Sequence, residues 1–318
     1  MPDARRNMKT DNIRIVVTSP SFSRNAALAS ELSRYFPQST LNTEGVRYQG
    51  ESLLKYIREA HGIIVGLETL DAKVLKSCPN LKIVSKYGVG LDNIDLVCCR
   101  ENNIRIGWTP GVNKRSVAEM TIAFMIGLAR NIFRTANELR DGKWNKSGGM
   151  ELSGKTVGII GVGNIGKEVV KLLKPFGCRV LVNDIIDQSA YYKRNKLEEV
   201  EKDVIYSDSD VITIHAPLTD ATRHIINKQT LSIMKKDAFV INSARGGIVN
   251  TDDLKWALVN NVIAGAAVDV YEEEPPDDRE LLKLPNLICT PHIGGNSAES
   301  VLSMGRSAIQ HLRSFFKE

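Results

Sequence analysis

The 318-residue sequence predicts an α/β fold made of two units, each around a parallel sheet. Three observations predict it. Short β-rich runs alternate with helix-like stretches along most of the chain, a pattern that calls for parallel strands joined by crossover helices. A second and cleaner series of βα repeats opens at Thr156. The length, at roughly 150 residues per domain, fits about two domains. Composition agrees, with 42% hydrophobic residues, 25% charged residues and 24 glycines, which disfavours disorder, collagen and a disulfide scaffold.

Taken in order, Met1–Asn12 is polar, lacks the apolar core of a secretory signal and reads as a frayed leader, with Met8 an alternative start. Ile13–Val17 is expected as a strand, Ala26–Tyr35 as a helix, Ile63–Val65 and Lys82–Ser85 as strands, and Leu70–Ser77 as a short helix between them. Glu101–Ile106 is expected as a further strand, ended by Thr109-Pro110-Gly111. A long helix is expected over Ser116–Asn131, with Ser116 and Glu119 as a capping box. Its apolar residues run round more than one side, which points to a core or a subunit contact. Strands then follow at Thr156–Ile160, Arg179–Asn183, Val211–His215, Ala238–Asn242, Ala264–Val268 and Leu287–Cys289. Helices are expected at Ile165–Pro175, Thr251–Asn260 and Ala298–Lys317.

The charge balance is mild, 42 Lys and Arg against 37 Asp and Glu. Without a long basic run it argues against nucleic acid as a partner. No stretch approaches the roughly 20 apolar residues of a membrane span. Five cysteines with no zinc spacing read as small buried hydrophobes in a reducing cytoplasm, and no metal site is expected.

Two constellations carry chemistry. Gly161-Val162-Gly163-Asn164-Ile165-Gly166 follows the strand Thr156–Ile160 and opens a helix, and Asp184 lies 18 residues beyond the last glycine. That is the dinucleotide fingerprint of a Rossmann unit: Gly161 for the tight turn, Gly163 for approach to a pyrophosphate, Gly166 for close packing of helix on strand. The amides of Asn164 and Ile165 face the phosphates, and Asp184 takes the ribose hydroxyls. Asp184 favours NAD, although Lys193 and Arg194 keep NADP open.

The second constellation is three segments at strand ends: Asn242-Ser243-Ala244-Arg245-Gly246-Gly247, Val268-Asp269-Val270-Tyr271-Glu272-Glu273-Glu274-Pro275, and Thr290-Pro291-His292-Ile293-Gly294-Gly295. Ligands bind at that edge of a parallel sheet. An arginine can grip a carboxylate bidentately, a histidine can move a hydroxyl proton near neutral pH, and a glutamate beside it favours the imidazolium. No GxSxG elbow is present, which disfavours a serine hydrolase.

With these segments, the stretches Lys86-Tyr87-Gly88-Val89-Gly90-Leu91-Asp92-Asn93-Ile94-Asp95, Ser116-Val117-Ala118-Glu119 and His215-Ala216-Pro217-Leu218-Thr219 with Thr222 complete a pattern. From about Ile13 onward it resembles the D-isomer-specific 2-hydroxyacid dehydrogenases, most closely their D-3-phosphoglycerate dehydrogenase branch. The resemblance implies a Rossmann NAD-binding domain, 112–296, inserted in a flavodoxin-like substrate domain formed by residues 1–111 and closed by the helix in 297–318. It implies Arg245 as the substrate arginine, His292 as acid/base and Glu274 as its partner. It implies cofactor contacts at Gly161, Gly163, Asn164, Ile165, Gly166, Asp184, His215, Ala216, Pro217, Thr222, Ser243, Ala244, Asp269 and Gly294. Substrate contacts are implied at Lys86, Gly88, Val89, Gly90 and Arg245.

Glu272 and Glu273 read as a solvated run, and His61, His224 and His311 as structural. The pattern departs from phosphoglycerate enzymes of the family at three places. Val65-Gly66-Leu67 stands where they carry an arginine, Lys86 replaces a second arginine, and Trp108 replaces an asparagine. Arg130 matches a position that reaches a neighbouring subunit's site. No C-terminal regulatory extension follows, so serine feedback is not expected.

The expected activity is thus reversible hydride transfer between NAD and C2 of a small anionic 2-hydroxy or 2-keto acid, phosphoglycerate-like, in a cytoplasmic homodimer joined through Ser116–Asn131 and the segment after it. Two alternatives stand beside it. One is a reductase of glyoxylate, hydroxypyruvate or a phosphonate-bearing keto acid. The other is a non-enzymatic NAD-sensing corepressor.

Overall fold

The computed structural model describes residues 12–317, so the leader and the alternative start at Met8 lie almost wholly outside the described residues. The chain divides into two units. The first comprises the described residues up to Asn113 together with those from Asn296 onward, and the second is the continuous segment Lys114–Gly295.

The first unit holds β1 (Ile15–Val17), β2 (Thr40–Leu41), β3 (Gly62–Val65), β4 (Ile83–Lys86) and β5 (Arg105–Gly107), all parallel, in the order β2-β1-β3-β4-β5. That order is the flavodoxin-like one. The three central strands, β1, β3 and β4, are short runs rich in β-branched residues whose alternate side chains enter cores on opposite faces. On one face Val16, Ile63, Val65 and Val84 pack with Leu53, Ile57 and Leu70. On the other, Ile15, Val17, Ile64 and Ile83 pack with Phe22, Leu28 and Leu32 and with Met304, Ala308, Ile309 and Leu312 of the closing helix Ala298–Lys317.

The second unit holds β6 (Thr156–Ile160), β7 (Arg179–Asn183), β8 (Glu198–Glu199), β9 (Val211–Ile214), β10 (Phe239–Asn242), β11 (Gly265–Val268) and β12 (Leu287–Cys289). They form one parallel sheet, ordered β12-β11-β10-β9-β6-β7-β8. This is the doubly wound dinucleotide-binding order extended by one strand, with its reversal between β6 and β9. Val240 enters one core with Ile212 and Leu254, while Phe239 and Ile241 enter the other with Val157 and Val169. Among the described residues no single helix is long and apolar enough to cross a membrane.

Most expected elements are present within a residue or two, and three expectations are corrected. The strand expected over Glu101–Ile106 starts only at Arg105. Glu101 instead ends the helix Leu96–Glu101, which Asp95 caps by accepting from the Cys98 amide at 2.8 Å, and Asn103 turns the chain at φ 56°. The helix expected over Ser116–Asn131 spans Lys114–Ala129. Ser116 is therefore inside it rather than at its N-cap, and its hydroxyl donates to the Gly294 carbonyl at 2.6 Å. The apolar breadth of that helix is used within its own unit, where Phe124, Met125 and Leu128 meet Val157, Val169 and Ile241. The helices Gly50–Ile57 and Ile132–Arg140 had no counterpart in the sequence reading.

Candidate active site

In the second unit the fingerprint glycines do three different things. Gly161 has φ +93°, and a Cβ there would lie 2.7–2.8 Å from the backbone of His215 and Ala216. The glycine turn and the segment His215-Ala216-Pro217 therefore run side by side at the switch point of the sheet. At Gly166 a Cβ would collide with the Gly161 carbonyl, so this glycine lets the helix Asn164–Leu173 start against the strand. At Gly163 a Cβ would meet nothing within 4 Å, leaving open space before the first-turn amides of Asn164 and Ile165.

Asp184 follows β7 and faces that turn. Its Oδ2 accepts from the Val162 amide at 2.6 Å and its Oδ1 from the Ile186 amide at 3.0 Å. The carboxylate thus shapes the loop and retains lone pairs for hydroxyl donors. His215 pairs through Nε2 with the Thr213 hydroxyl at 3.0 Å, and its shielded Nδ1 has no hydrogen-bond partner among the described residues. Burial lowers its pKa to about 3, so it stays neutral at working pH and cannot serve as the acid. Open space over Gly163, amides at a helix start, a ribose-type carboxylate and an unpartnered ring nitrogen are what a dinucleotide would fill, and the residues fit NAD. Thr222 is spent in the loop itself, donating to Pro217 O at 2.6 Å and accepting from the Thr219 amide at 2.8 Å.

The ends of β10, β11 and β12 bring Arg245, Glu274 and His292 into one region. Asn242 holds the turn after β10, accepting from the Ala244 amide and donating to the Arg245 carbonyl. Ser243 is buried in that turn, with its Oγ 3.3 Å from the Thr121 hydroxyl. Gly246 has no room for a side chain, because a Cβ would run into the Tyr271 carbonyl, so the Arg245 loop lies directly on the Tyr271–Glu274 loop. His292 takes φ 54° and points Nδ1 at Glu274, 2.8 Å from Oε2 and 3.0 Å from Oε1. Burial works against the Glu274 charge. The hydrogen bond and charge of His292, the Tyr271 amide and Arg245 outweigh it and hold the carboxyl below its ordinary pKa. The stabilisation tied to that shift is complete above the unfolded carboxyl pKa and is lost as pH falls through the folded one.

Asp269 is placed differently from the expected cofactor contact. It is 1% exposed, and both oxygens are engaged by the histidine turn. Oδ1 accepts from the Thr290 hydroxyl at 2.5 Å and the Ile293 amide at 2.8 Å, and Oδ2 from the Gly294 amide at 2.8 Å. Asp269 therefore fixes the backbone on both sides of His292. Glu272 and Glu273 are both exposed, as expected, but Glu272 also has partners: it accepts from the Thr251 hydroxyl and amide and faces His224 Nε2 at 3.4 Å. Arg130 donates to Gly148 O at 2.9 Å within its own unit.

In the first unit the turn Gly88-Val89-Gly90 follows β4, with Gly88 at φ +139°. Trp108, noticed in the sequence only as a departure, donates its indole N–H to Val89 O at 2.8 Å and pins the turn. Lys86 is 5% exposed, and its ammonium donates inward to Gly66 O at 2.5 Å and Asn93 Oδ1 at 2.7 Å. It braces the strand ends below the turn, a correction to its reading as a direct substrate contact.

Residues 122–294, more than half the chain, match the family model described as D-isomer specific 2-hydroxyacid dehydrogenase, NAD binding domain. The chain belongs to the D-isomer specific 2-hydroxyacid dehydrogenase family. It is an NAD-dependent oxidoreductase of the class that acts on the CH–OH group of 2-hydroxy acids. Relatives within this dehydrogenase family divide by substrate. A hydroxypyruvate reductase from Thermotoga maritima is 39% identical over 274 residues, 84% of this chain and 88% of that protein. A glyoxylate reductase from Pyrococcus horikoshii is 37% identical over 83% of this chain and 82% of its own length. A D-3-phosphoglycerate dehydrogenase from Methanocaldococcus jannaschii is 38% identical over 83% of this chain, which spans 51% of that protein. Among solved dehydrogenase structures, a D-lactate dehydrogenase from Aquifex aeolicus complexed with NAD and lactic acid superposes with a TM-score of 0.82 at 26% identity, covering 96% of this chain and 95% of that one.

Proposed function

We propose that this dehydrogenase interconverts a small 2-hydroxy acid and the matching 2-oxo acid, with His292 as proton carrier, Glu274 as its partner and Arg245 as the carboxylate grip. The observation that carries the reading is the Glu274–His292 pair at 2.8 Å beside the Arg245 loop. A carboxylate can only accept, so the proton on Nδ1 is fixed toward Glu274 and Nε2 is left to exchange with the C2 oxygen. Arg245 offers a planar fork to a carboxylate, and in the first unit the converging amides of Gly88-Val89-Gly90 suit the carboxylate of the substrate. NAD, when bound, supplies the hydride acceptor or donor. Holding the Nδ1 proton leaves a single route for the substrate proton, which is what efficient general acid–base catalysis requires.

The split among relatives leaves glyoxylate, hydroxypyruvate and phosphohydroxypyruvate as the substrates to try, with a phosphonate-bearing keto acid beside them. The test is a panel of these 2-oxo acids with NADH, and of their 2-hydroxy acids with NAD⁺, followed by NADH absorbance. Turnover of at least one acid is expected. No turnover across the panel, together with tight NADH binding, would support the corepressor reading instead.

The dehydrogenase is proposed to act as a homodimer. The surface that supports this is the segment after the long helix, where Ile132, Phe133, Leu139 and Trp144 are all exposed and apolar. Light scattering at micromolar concentration should give twice the chain mass, and a monomer would refute the assignment.

A further inference from the structure

We propose that Glu68 sets the charge of the substrate, selecting a 2-oxo acid with an uncharged tail and rejecting one whose tail carries phosphate or a second carboxylate. The inference rests on the reading above, in which the Gly88–Gly90 turn receives the substrate's carboxylate.

The placement comes from the sheet of the first unit. β1, β3 and β4 are adjacent and parallel, with Val65 in register with Lys86, so the residues after each strand share one edge. Ligands bind at that edge in open α/β sheets. Gly66 and Glu68 follow β3 there, and the Gly88–Gly90 turn follows β4.

Glu68 is fixed at this edge from both sides. Its Oε2 accepts from the Thr18 hydroxyl, just beyond β1, at 2.7 Å, and from the Gly66 amide at 3.0 Å. Its carbonyl accepts from Asn93 Nδ2 at 2.6 Å. With two donors on one carboxylate oxygen and the backbone carbonyl held by Asn93, the Glu68 side chain keeps its place when an anion arrives.

The two charges at this edge differ in direction. The Lys86 ammonium is buried and turned toward Gly66 O and Asn93. The Glu68 carboxylate is only partly buried and, among the described residues, forms no ion pair. What this edge offers an incoming tail is therefore a negative charge next to the exposed apolar side chain of Leu67. A hydroxymethyl or hydrogen tail is indifferent to that charge. A phosphate with nearly two negative charges is repelled, and at a partly solvated site a discrimination of about tenfold follows from Coulomb's law.

The test compares kcat/KM for hydroxypyruvate and for its 3-phosphate, with NADH, in the native protein and in E68Q. Glutamine is isosteric, and its amide oxygen can still accept from Thr18 and Gly66, so the charge is removed with little change in shape. The native protein should prefer hydroxypyruvate, and E68Q should shift the ratio toward the phosphate ester by about tenfold. E68D, which keeps the charge, should keep the preference.

Raising the salt concentration should erode the native preference by screening, which reads the same charge without any substitution. A native preference for the phosphate ester, or a ratio unmoved by both E68Q and salt, would overturn the proposal. Absence of turnover with either acid and with the rest of the panel would overturn the functional reading itself, a different failure.

Discussion

His292→Ala is expected to lower turnover by about 10²–10⁴-fold, the usual effect of removing a general acid–base group. Binding of NADH, followed by fluorescence titration, should change little, because the glycine turn and Asp184 belong to a separate part of the unit. The substitution has a complication and a remedy. His292 sits at φ 54°, where alanine is strained, whereas asparagine takes that conformation readily. His292→Asn is therefore the cleaner variant, keeping the backbone while offering no imidazole. If both variants melt as the native protein does and both lose the rate, the loss is chemical. Near-native turnover of either variant, with saturating cofactor and an acid the native protein accepts, would remove His292 from its role.

Asp269→Asn is expected to lower both the melting temperature and the turnover rate. The carboxylate accepts three hydrogen bonds, from the Thr290 hydroxyl and the Ile293 and Gly294 amides. An asparagine has one acceptor oxygen, so its NH₂ must face a donor and leave a buried N–H or O–H unpaired. That costs about 1–3 kcal/mol, which for a domain of this size is a fall of several degrees. The rate should drop by roughly tenfold to a hundredfold, since a shift of about 1 Å in a catalytic group can cost that much. The two readouts should move together. An unchanged melt and an unchanged rate would show that the turn carrying His292 does not depend on Asp269.

The residues that were easy to read in the sequence are those whose meaning is local. Thr156–Ile160, Arg179–Asn183 and Leu287–Cys289 stand out as short runs with apolar centres, because a strand covered on both faces needs little else. The glycine fingerprint is similarly local, each glycine answering to a contact within its own turn or an adjacent strand.

What escaped was set by distant partners. Glu68 acquires its orientation from Thr18, 50 residues away, and Asp269 from amides 24 and 25 residues further on. Neither separation has a period or motif. Ser116 precedes Glu119 by the spacing of a capping box, yet the helix begins two residues earlier and spends its hydroxyl on Gly294, 178 residues away. The helix Ile132–Arg140 has an apolar stripe of its own, Ile132, Phe133, Ala136 and Leu139, but only Arg130 and Asn131 part it from the long helix, and neither is a turn signal like Gly or Pro.

The closing helix has a bearing on how the chain is made. Met304, Ala308, Ile309 and Leu312 share one core with Ile13, Ile15, Phe22 and Leu28. During synthesis, the N-terminal strands must therefore wait until nearly the whole polypeptide has left the ribosome before that face of their sheet is covered. Lys114–Gly295 is continuous and can complete its own core earlier. Although translated second, it is placed to become the first finished structure, and the earliest residues spend the longest time with apolar surface in need of chaperone protection.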